Sequence, residues 1–318
     1  MFSLLRNLEC ASLTIDEILS SVYEPLPPDQ RSEQLARQRL ACWIDVSADG
    51  DAGIFAKRLA RENRSLESVL ERLGGVRRRQ GMPEPDWVAR TRHVFKVLID
   101  DDTPLPRDEP AFAPLLAPLV RQAASALQTA LPQAVLPLLA PPAFEGAVDH
   151  LRRRLSNLCE LPFYEVLLGW RRGLVVAASA GDELATQRLF ADTLDTFAAY
   201  LREDGYAGLL RDKPILFRLL AMLVEQWHDS YLAFFKRYAT DREHIAHLLE
   251  QADANARLCR INWGASDPHN GGYSVFIAEF EDGHRVLYKP KDLGPDRFVG
   301  LIVASLANLG LPEPLVVP

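Results

Sequence analysis

The sequence lacks a surplus of positive charge, closely spaced cysteines, an uninterrupted apolar helix and any fixed-period repeat. The formal net charge is −7, from 36 Lys and Arg against 43 Asp and Glu. Sequence-independent binding to nucleic acid needs a basic surface that displaces phosphate counterions, so this balance argues against that class. The four cysteines, Cys10, Cys42, Cys159 and Cys259, include no Cys-x-x-Cys pair. Such spacing suits neither a zinc cluster nor a disulfide framework and fits a reducing cytoplasm. The first residues, Met1-Phe2-Ser3-Leu4-Leu5-Arg6, carry no long apolar core before Glu9, which argues against a signal peptide. Gln122 to Phe144 is uncharged and long enough to span a bilayer, but it holds Pro132, Pro137, Pro141, Pro142 and three glutamines. That content predicts a soluble helix followed by a proline-rich loop, with no stable membrane insertion.

What is present suffices for a real core. At 318 residues and 48% hydrophobic, the chain can form one large domain or two smaller ones. Residues 1–256 predict a helical body. Leu35, Leu40, Trp43 and Ile44 make one apolar stripe within Arg31–Ile44. Ser65–Leu73 runs from a serine to the stop signal Gly74-Gly75, and Trp87–Ile99 has a broad apolar side before Thr103-Pro104-Leu105-Pro106. Leu184, Leu189, Phe190, Leu194 and Phe197 recur at helical spacing. So do Leu216, Leu219, Leu220, Leu223, Trp227, Tyr231 and Phe234, a run closed by Lys236 and Arg237 near a helix C-terminus.

The character changes at residue 257. Leu258–Trp263 reads as a short strand, followed by a loop over 264–272. Tyr273–Phe280 and Arg285–Lys289 read as strands around Asp282-Gly283, and Phe298–Leu309 as a helix. The expected fold class is therefore α+β, mostly α, with a helical body over 1–256 and a small antiparallel sheet opening the segment 257–318. Three strands are too few to be stable alone, so the sheet must pack on the helices or begin a longer domain.

With Asp282-Gly283 as a two-residue loop, Phe280 faces Arg285 and Phe276 faces Lys289. Leu287 and Lys289 then share a face with Phe276 and Ala278. An amine at the end of an apolar strip suits a nucleotide, with the base on the strip and the Lys at the phosphates. Val286-Leu287-Tyr288-Lys289 has the order of roles found in the V-A-I-K strand of kinases. Gly271-Gly272 sits one strand earlier, where backbone amides can approach an anion. Each part also has a plainer reading. A strand-end lysine is commonly a solvated edge residue, a Gly-Gly pair a turn, and Asp267 with His269 a set of loop hydrogen bonds. No metal site is expected from Asp267-x-His269, because a third ligand is missing nearby.

Three runs carry a resemblance: Ser266-Asp267-Pro268-His269-Asn270-Gly271-Gly272, Glu279-Phe280-Glu281-Asp282-Gly283, and Val286-Leu287-Tyr288-Lys289-Pro290-Lys291-Asp292-Leu293. In combination they resemble the dehydratase domain of the class II lanthionine synthetases (LanM family). Leu161-Pro162-Phe163-Tyr164-Glu165-Val166 and Lys213-Pro214-Ile215-Leu216-Phe217-Arg218-Leu219-Leu220 resemble it too. The resemblance implies a lipid-kinase-like fold whose N-lobe would begin with the small sheet, and peptide-binding helices before it. It implies a cytoplasmic enzyme of lantibiotic biosynthesis that uses ATP and Mg2+ to phosphorylate Ser and Thr of a precursor peptide, leader plus core. Phosphate is then eliminated to leave dehydroamino acids.

Carried over by position, Asp267 and His269 would be catalytic. Lys289 would contact phosphate, with Asn270, Gly271 and Gly272 in the nucleotide-covering loop. Where the family usually has Arg this chain has Lys291, which keeps the charge but loses a bidentate fork. The family's catalytic-loop Asp, His and Asn and its metal-binding Asp lie beyond the lysine strand, and its zinc cyclase further on. The expectation is thus a front part that alone completes neither step. Two other readings stay open: a non-catalytic leader-peptide-binding module using Arg77-Arg78-Arg79 and Arg152-Arg153-Arg154, and a gene fragment.

Overall fold

The computed structural model describes residues 8–107, 109, 112–191, 193–249, 255–264, 272–291 and 294–308. The chain divides into two compact units, Met1–Gln122 with Arg152–Glu225, and Ala123–Leu151 with Gln226–Pro318. As the periodicity of the sequence predicts, the protein is α+β and mostly α, with one small three-stranded antiparallel sheet late in the chain.

The first unit opens with α1 (Ile15–Leu19), β1 (Tyr23–Pro25), α2 (Glu33–Ala48), α3 (Ala52–Arg61), α4 (Leu66–Leu73) and β2 (Val76–Arg78). Each helix starts on a side-chain cap, because its first N–H groups have no partner within the helix. Thr14 and Glu17 form a reciprocal capping box on α1, and Ser32, Asp51 and Ser65 cap α2, α3 and α4. Ile18, Tyr23, Phe55, Leu59, Val69 and Leu73 bury one shared cluster, with Trp43 edge-on to Phe55 at 4.8 Å. Arg72 of α4 donates to the carbonyls of Ile18 at 2.8 Å and Tyr23 at 2.7 Å, so one guanidinium satisfies the open end of α1 and the start of β1.

The pairing of β1 with β2, Tyr23 opposite Arg78, went unread in the sequence. Arg77 and Arg78 were expected on a solvated helix face or as a peptide-binding patch. They lie instead on a three-residue strand, where Arg77 meets Glu24 at 2.8 Å and Arg78 meets Glu9 at 3.3 Å.

The same unit contains α5 (Asp86–Asp100) and part of the helices that follow: α6 (Ala117–Ala130), α7 (Pro141–Ser179), α8 (Glu183–Phe190), α9 (Thr193–Tyr200), α10 (Tyr206–Asp212) and α11 (Pro214–Leu248). The residues from Leu184 to Phe197, read as one periodic run, form two helices broken at Ala191, whose extended backbone ends α8. The proline-rich loop predicted through Phe144 stops sooner. Pro141 and Pro142 open α7, at the first turn where a missing N–H costs nothing. Lys236 and Arg237 do not end α11, which runs on to Leu248. Phe95, Phe217, Tyr206 and Phe163 form an edge-to-face chain at 5.2, 6.4 and 6.2 Å that fills the core here.

In the second unit, β3 (Leu258–Asn262), β4 (Phe276–Phe280) and β5 (Arg285–Tyr288) form an antiparallel meander, followed by α12 (Gly294–Asn308). The strands match the predicted ones but are shorter at the ends, since Trp263, Tyr273 and Lys289 lie outside the ladder. A bulge between Leu258 and Arg260 lets Leu258 and Ile261 both face inward. Their layer joins Phe276, Ala278 and Phe280, and covers Tyr231, Phe234, Phe235 and Tyr238 of α11.

Arg218, on the first part of α11, donates to both carboxylate oxygens of Glu17 at 2.6 and 2.9 Å and to the Ser12 carbonyl at 2.7 Å. It also lies 3.9 Å over the Trp87 ring. Burial pushes the Glu17 carboxyl up, but the hydrogen bonds from Arg218 and Thr14 outweigh it and hold it below the usual range. A depressed folded value means the stabilisation is fully present above the unfolded value and disappears as pH falls through the folded one. Glu17→Gln should therefore lower the melting temperature at neutral pH and match the wild type at strongly acid pH. A difference that persists unchanged into acid would contradict this reading of the pair.

Candidate functional site

Strand geometry decides which side chains can act together, and here it corrects the sequence reading by one residue. Phe276 pairs with Tyr288, Ile277 with Leu287, Ala278 with Val286 and Glu279 with Arg285. The turn is a three-residue loop, Glu281-Asp282-Gly283. The N–H of Phe280 donates to the His284 carbonyl at 3.0 Å, and that of Gly283 donates back to Phe280 at 2.9 Å. Gly283 takes the left-handed position such loops require, at φ +88°.

A slip of one residue moves every side chain to the other face. Val286 and Tyr288, not Leu287 and Lys289, join Phe276 and Ala278 on the buried layer. Leu287 is 51% exposed, and Lys289 is exposed two residues later. The two still alternate to a common side, now the outer face, with half-buried Ile277 opposite Leu287. Arg260 and Arg285 flank Glu279 on that face at 3.6 and 2.8 Å, next to the Asn262, Ile277 and Leu287 row.

What holds the lysine strand is a run of rings. Trp263, at the stem of the loop after β3, stacks on His150 at 4.3 Å with planes 10° apart. The His150 ring nitrogen Nδ1 meets the Tyr231 hydroxyl at 2.9 Å. Tyr231 stacks on Phe276 at 5.0 Å, and Phe276 on Tyr288 at 6.0 Å. Phe234 meets Tyr288 edge-on at 5.0 Å, and Arg237 donates to the Tyr288 hydroxyl at 2.6 Å. Burial pushes the Tyr288 phenol up, against the pull of Arg237, so it stays protonated beside Lys289. No local sequence pattern marks His150, Tyr231, Trp263, Arg237 or Tyr288 as part of the site. The alternation of Tyr288 with Val286 was readable, but only with the loop length in hand.

Of the predicted site residues, Gly272 and Lys289 are described. Asp267, His269, Asn270 and Gly271 lie outside the described residues. Gly272 is conformationally required. Its φ is +98°, and a Cβ there would stand 2.6 Å from Cβ of Gln226, so Gly272 itself lies pressed against α11. Among the described residues, no group of three or more His, Cys, Asp or Glu could hold a metal ion, and no helix is long and apolar enough to cross a membrane.

A surface cleft of about 680 Å³ beside α5 and α6 includes none of the predicted residues. Within it, Arg121 donates to both oxygens of Asp101 at 3.0 and 2.9 Å, and His93 meets Gln122 at 3.0 Å.

Residues 214–318, about a third of the chain, match the family described as a domain of unknown function (DUF4135). That segment contains α11, the whole sheet and α12. No curated protein matches the chain.

Gly272 and Gly264 separate two causes of strain, since Gly264 has φ +89° but open space at its Cβ position. Gly264→Ala should cost about 1–2 kcal/mol for the backbone alone. Gly272→Ala should cost clearly more in urea denaturation, because the methyl must also displace Gln226. Equal losses would show that the close approach to α11 carries no weight.

Proposed function

We propose that the chain serves a peptide dehydratase of the class II lanthionine synthetase type, which phosphorylates Ser and Thr of a precursor peptide and eliminates the phosphate. The observation that carries this reading is a coincidence of position. The run from Ser266 to Leu293, which resembles that family's dehydratase, falls wholly inside the segment that matches DUF4135, a domain found in lanthionine synthetase-like proteins. The chemistry of the outer sheet face supports it: an exposed cation at Lys289 stands next in line to exposed Leu287 and its half-buried partner Ile277.

That set fits a nucleotide, an apolar surface for the base and an ammonium for phosphate charge. The described residues offer no matching cluster for Mg2+. ATP with Mg2+ would supply the phosphoryl group. Lys289 would neutralise charge that builds up on the transferring oxygens. The residue before it, Tyr288, is fixed on the inner face by Arg237 and Phe234. Asp267 and His269, by the same resemblance, would take the proton from the attacking hydroxyl and the α-proton removed in elimination. The protein would work in the cytoplasm, where ATP and a ribosomally made precursor peptide meet.

The competing reading, a non-catalytic leader-peptide module, draws on the arginine clusters. Arg77, Arg78 and Arg152 are already engaged with Glu24, Glu9 and Glu109, which leaves less basic surface for a peptide than the sequence suggested.

The test is mass spectrometry of precursor peptide incubated with a complete dehydratase that contains this chain, ATP and Mg2+. Phosphorylated and dehydrated peptide should accumulate with the wild type, and Lys289→Ala should slow phosphorylation about 100-fold. Equal rates for the two proteins would remove the nucleotide role of Lys289. A peptide that binds yet never changes mass would favour the non-catalytic reading.

A further inference from the structure

Helix α7 has two unlike sides within the first unit. Leu155, Cys159, Phe163, Trp170 and Leu174 are buried, as the core-facing stripe of an amphipathic helix must be. The opposite side should be polar, and it is not. Leu161, Tyr164, Leu168 and Val175 are exposed at spacings of three, four and seven residues, with Arg172 filling the intervening turn. Val176 beside them is 70% exposed and Leu161 is 63% exposed, far beyond scattered single apolar residues on a surface. Gly169 and Gly173 lie among these residues, and a Cβ at either would meet nothing within 4 Å. Glycine within a helix costs about 0.5–1 kcal/mol against alanine, so open space alone gives no reason for two of them.

Charge along the face says what covers it. The N-terminal half carries exposed Glu160 and Glu165, and the C-terminal half carries Arg171 and exposed Arg172. Glu165 meets Lys213 at 2.6 Å through one oxygen, and Arg171 donates to the Thr193 hydroxyl at 3.2 Å. An antiparallel copy of the same helix, related by a two-fold axis near Leu168, brings the unlike halves of this pattern together. Leu161 of one copy falls on Val175 and Val176 of the other. Glu165 falls on Arg172, and Leu168 packs over Gly169 in both directions. A parallel copy would set acid on acid and base on base.

We propose that the exposed face of α7 pairs with the same face of a second copy of this chain, forming a two-fold antiparallel helix interface. Such a contact is self-complementary, so every pair occurs twice and the assembly closes at two. Ridge-into-groove packing brings helix axes to roughly 8–10 Å, and glycines at the crossing allow the shorter end of that range.

The test is sedimentation velocity of the full chain over a concentration series, with far-UV circular dichroism as the check on folding. The wild type should run at twice 35.6 kDa. Leu161→Glu and Gly169→Leu both alter positions that are open in the single chain, and each should give a folded monomer. Arg172→Glu should weaken association about tenfold, since two exposed ion pairs are lost and replaced by repulsion. Adding Glu165→Arg to it should restore association, because the swapped charges again meet across the axis. A monomer at every concentration would overturn the proposal. So would a dimer indifferent to Leu161→Glu and Gly169→Leu, or a charge-swapped variant no tighter than Arg172→Glu alone.

Discussion

The stacking of Tyr231 on Phe276, and of Phe276 on Tyr288, is the contact on which the candidate site depends. A sheet this small gains stability by packing its apolar face against a helix. Its inner layer is completed by rings from α11. Tyr231, Phe234, Phe235 and Tyr238 recur at helical spacing and so present one continuous aromatic side to the strands. At one end of this run, His150 and Trp263 fix the stem of the loop after β3. At the other, Arg237 fixes Tyr288, one residue before Lys289. Trp263 is thus held through His150 of α7 and Tyr288 through Arg237 of α11, with Tyr231 bonded to His150 and stacked on Phe276 between them.

The same contact explains why the register could not have been otherwise. Had Asp282-Gly283 been the whole turn, Leu287 and Lys289 would have faced α11, and an ammonium would have had to enter an aromatic layer. The three-residue loop places Val286 and the phenol of Tyr288 there instead. The exposed outer face is left with Leu287, Ile277 and Lys289. The amine and the aliphatic floor keep each other's company, on the opposite side from the one the sequence suggested.

Much of the fold was readable where one signal dominated. The helical stripes, the turn from helix to strand character at residue 257, and the three strands follow from periods of 3.6 and 2. Failures arose where a boundary was set by something non-local. Val76–Arg78 forms a strand only because Tyr23–Pro25, some fifty residues earlier, offers a partner, and three arginines in a row hide that pairing. Helix α11 continues past Lys236 and Arg237 because its aromatic side still has a sheet to cover at Tyr238. The site was legible as residue types in order. The anchors His150, Arg237 and Tyr231 come from helices more than twenty residues away from the strands they hold, so no local pattern marks them.

The most direct measurement is labelling of the intact protein with an acyl-phosphate derivative of ATP, which transfers its acyl group to an amine lying at the phosphates. Peptide mass spectrometry then reports which lysine was modified. The account predicts modification centred on Lys289, suppressed by excess ATP with Mg2+ and unaffected by inorganic phosphate alone. Modification spread evenly over surface lysines, or at Lys289 but indifferent to ATP, would contradict it.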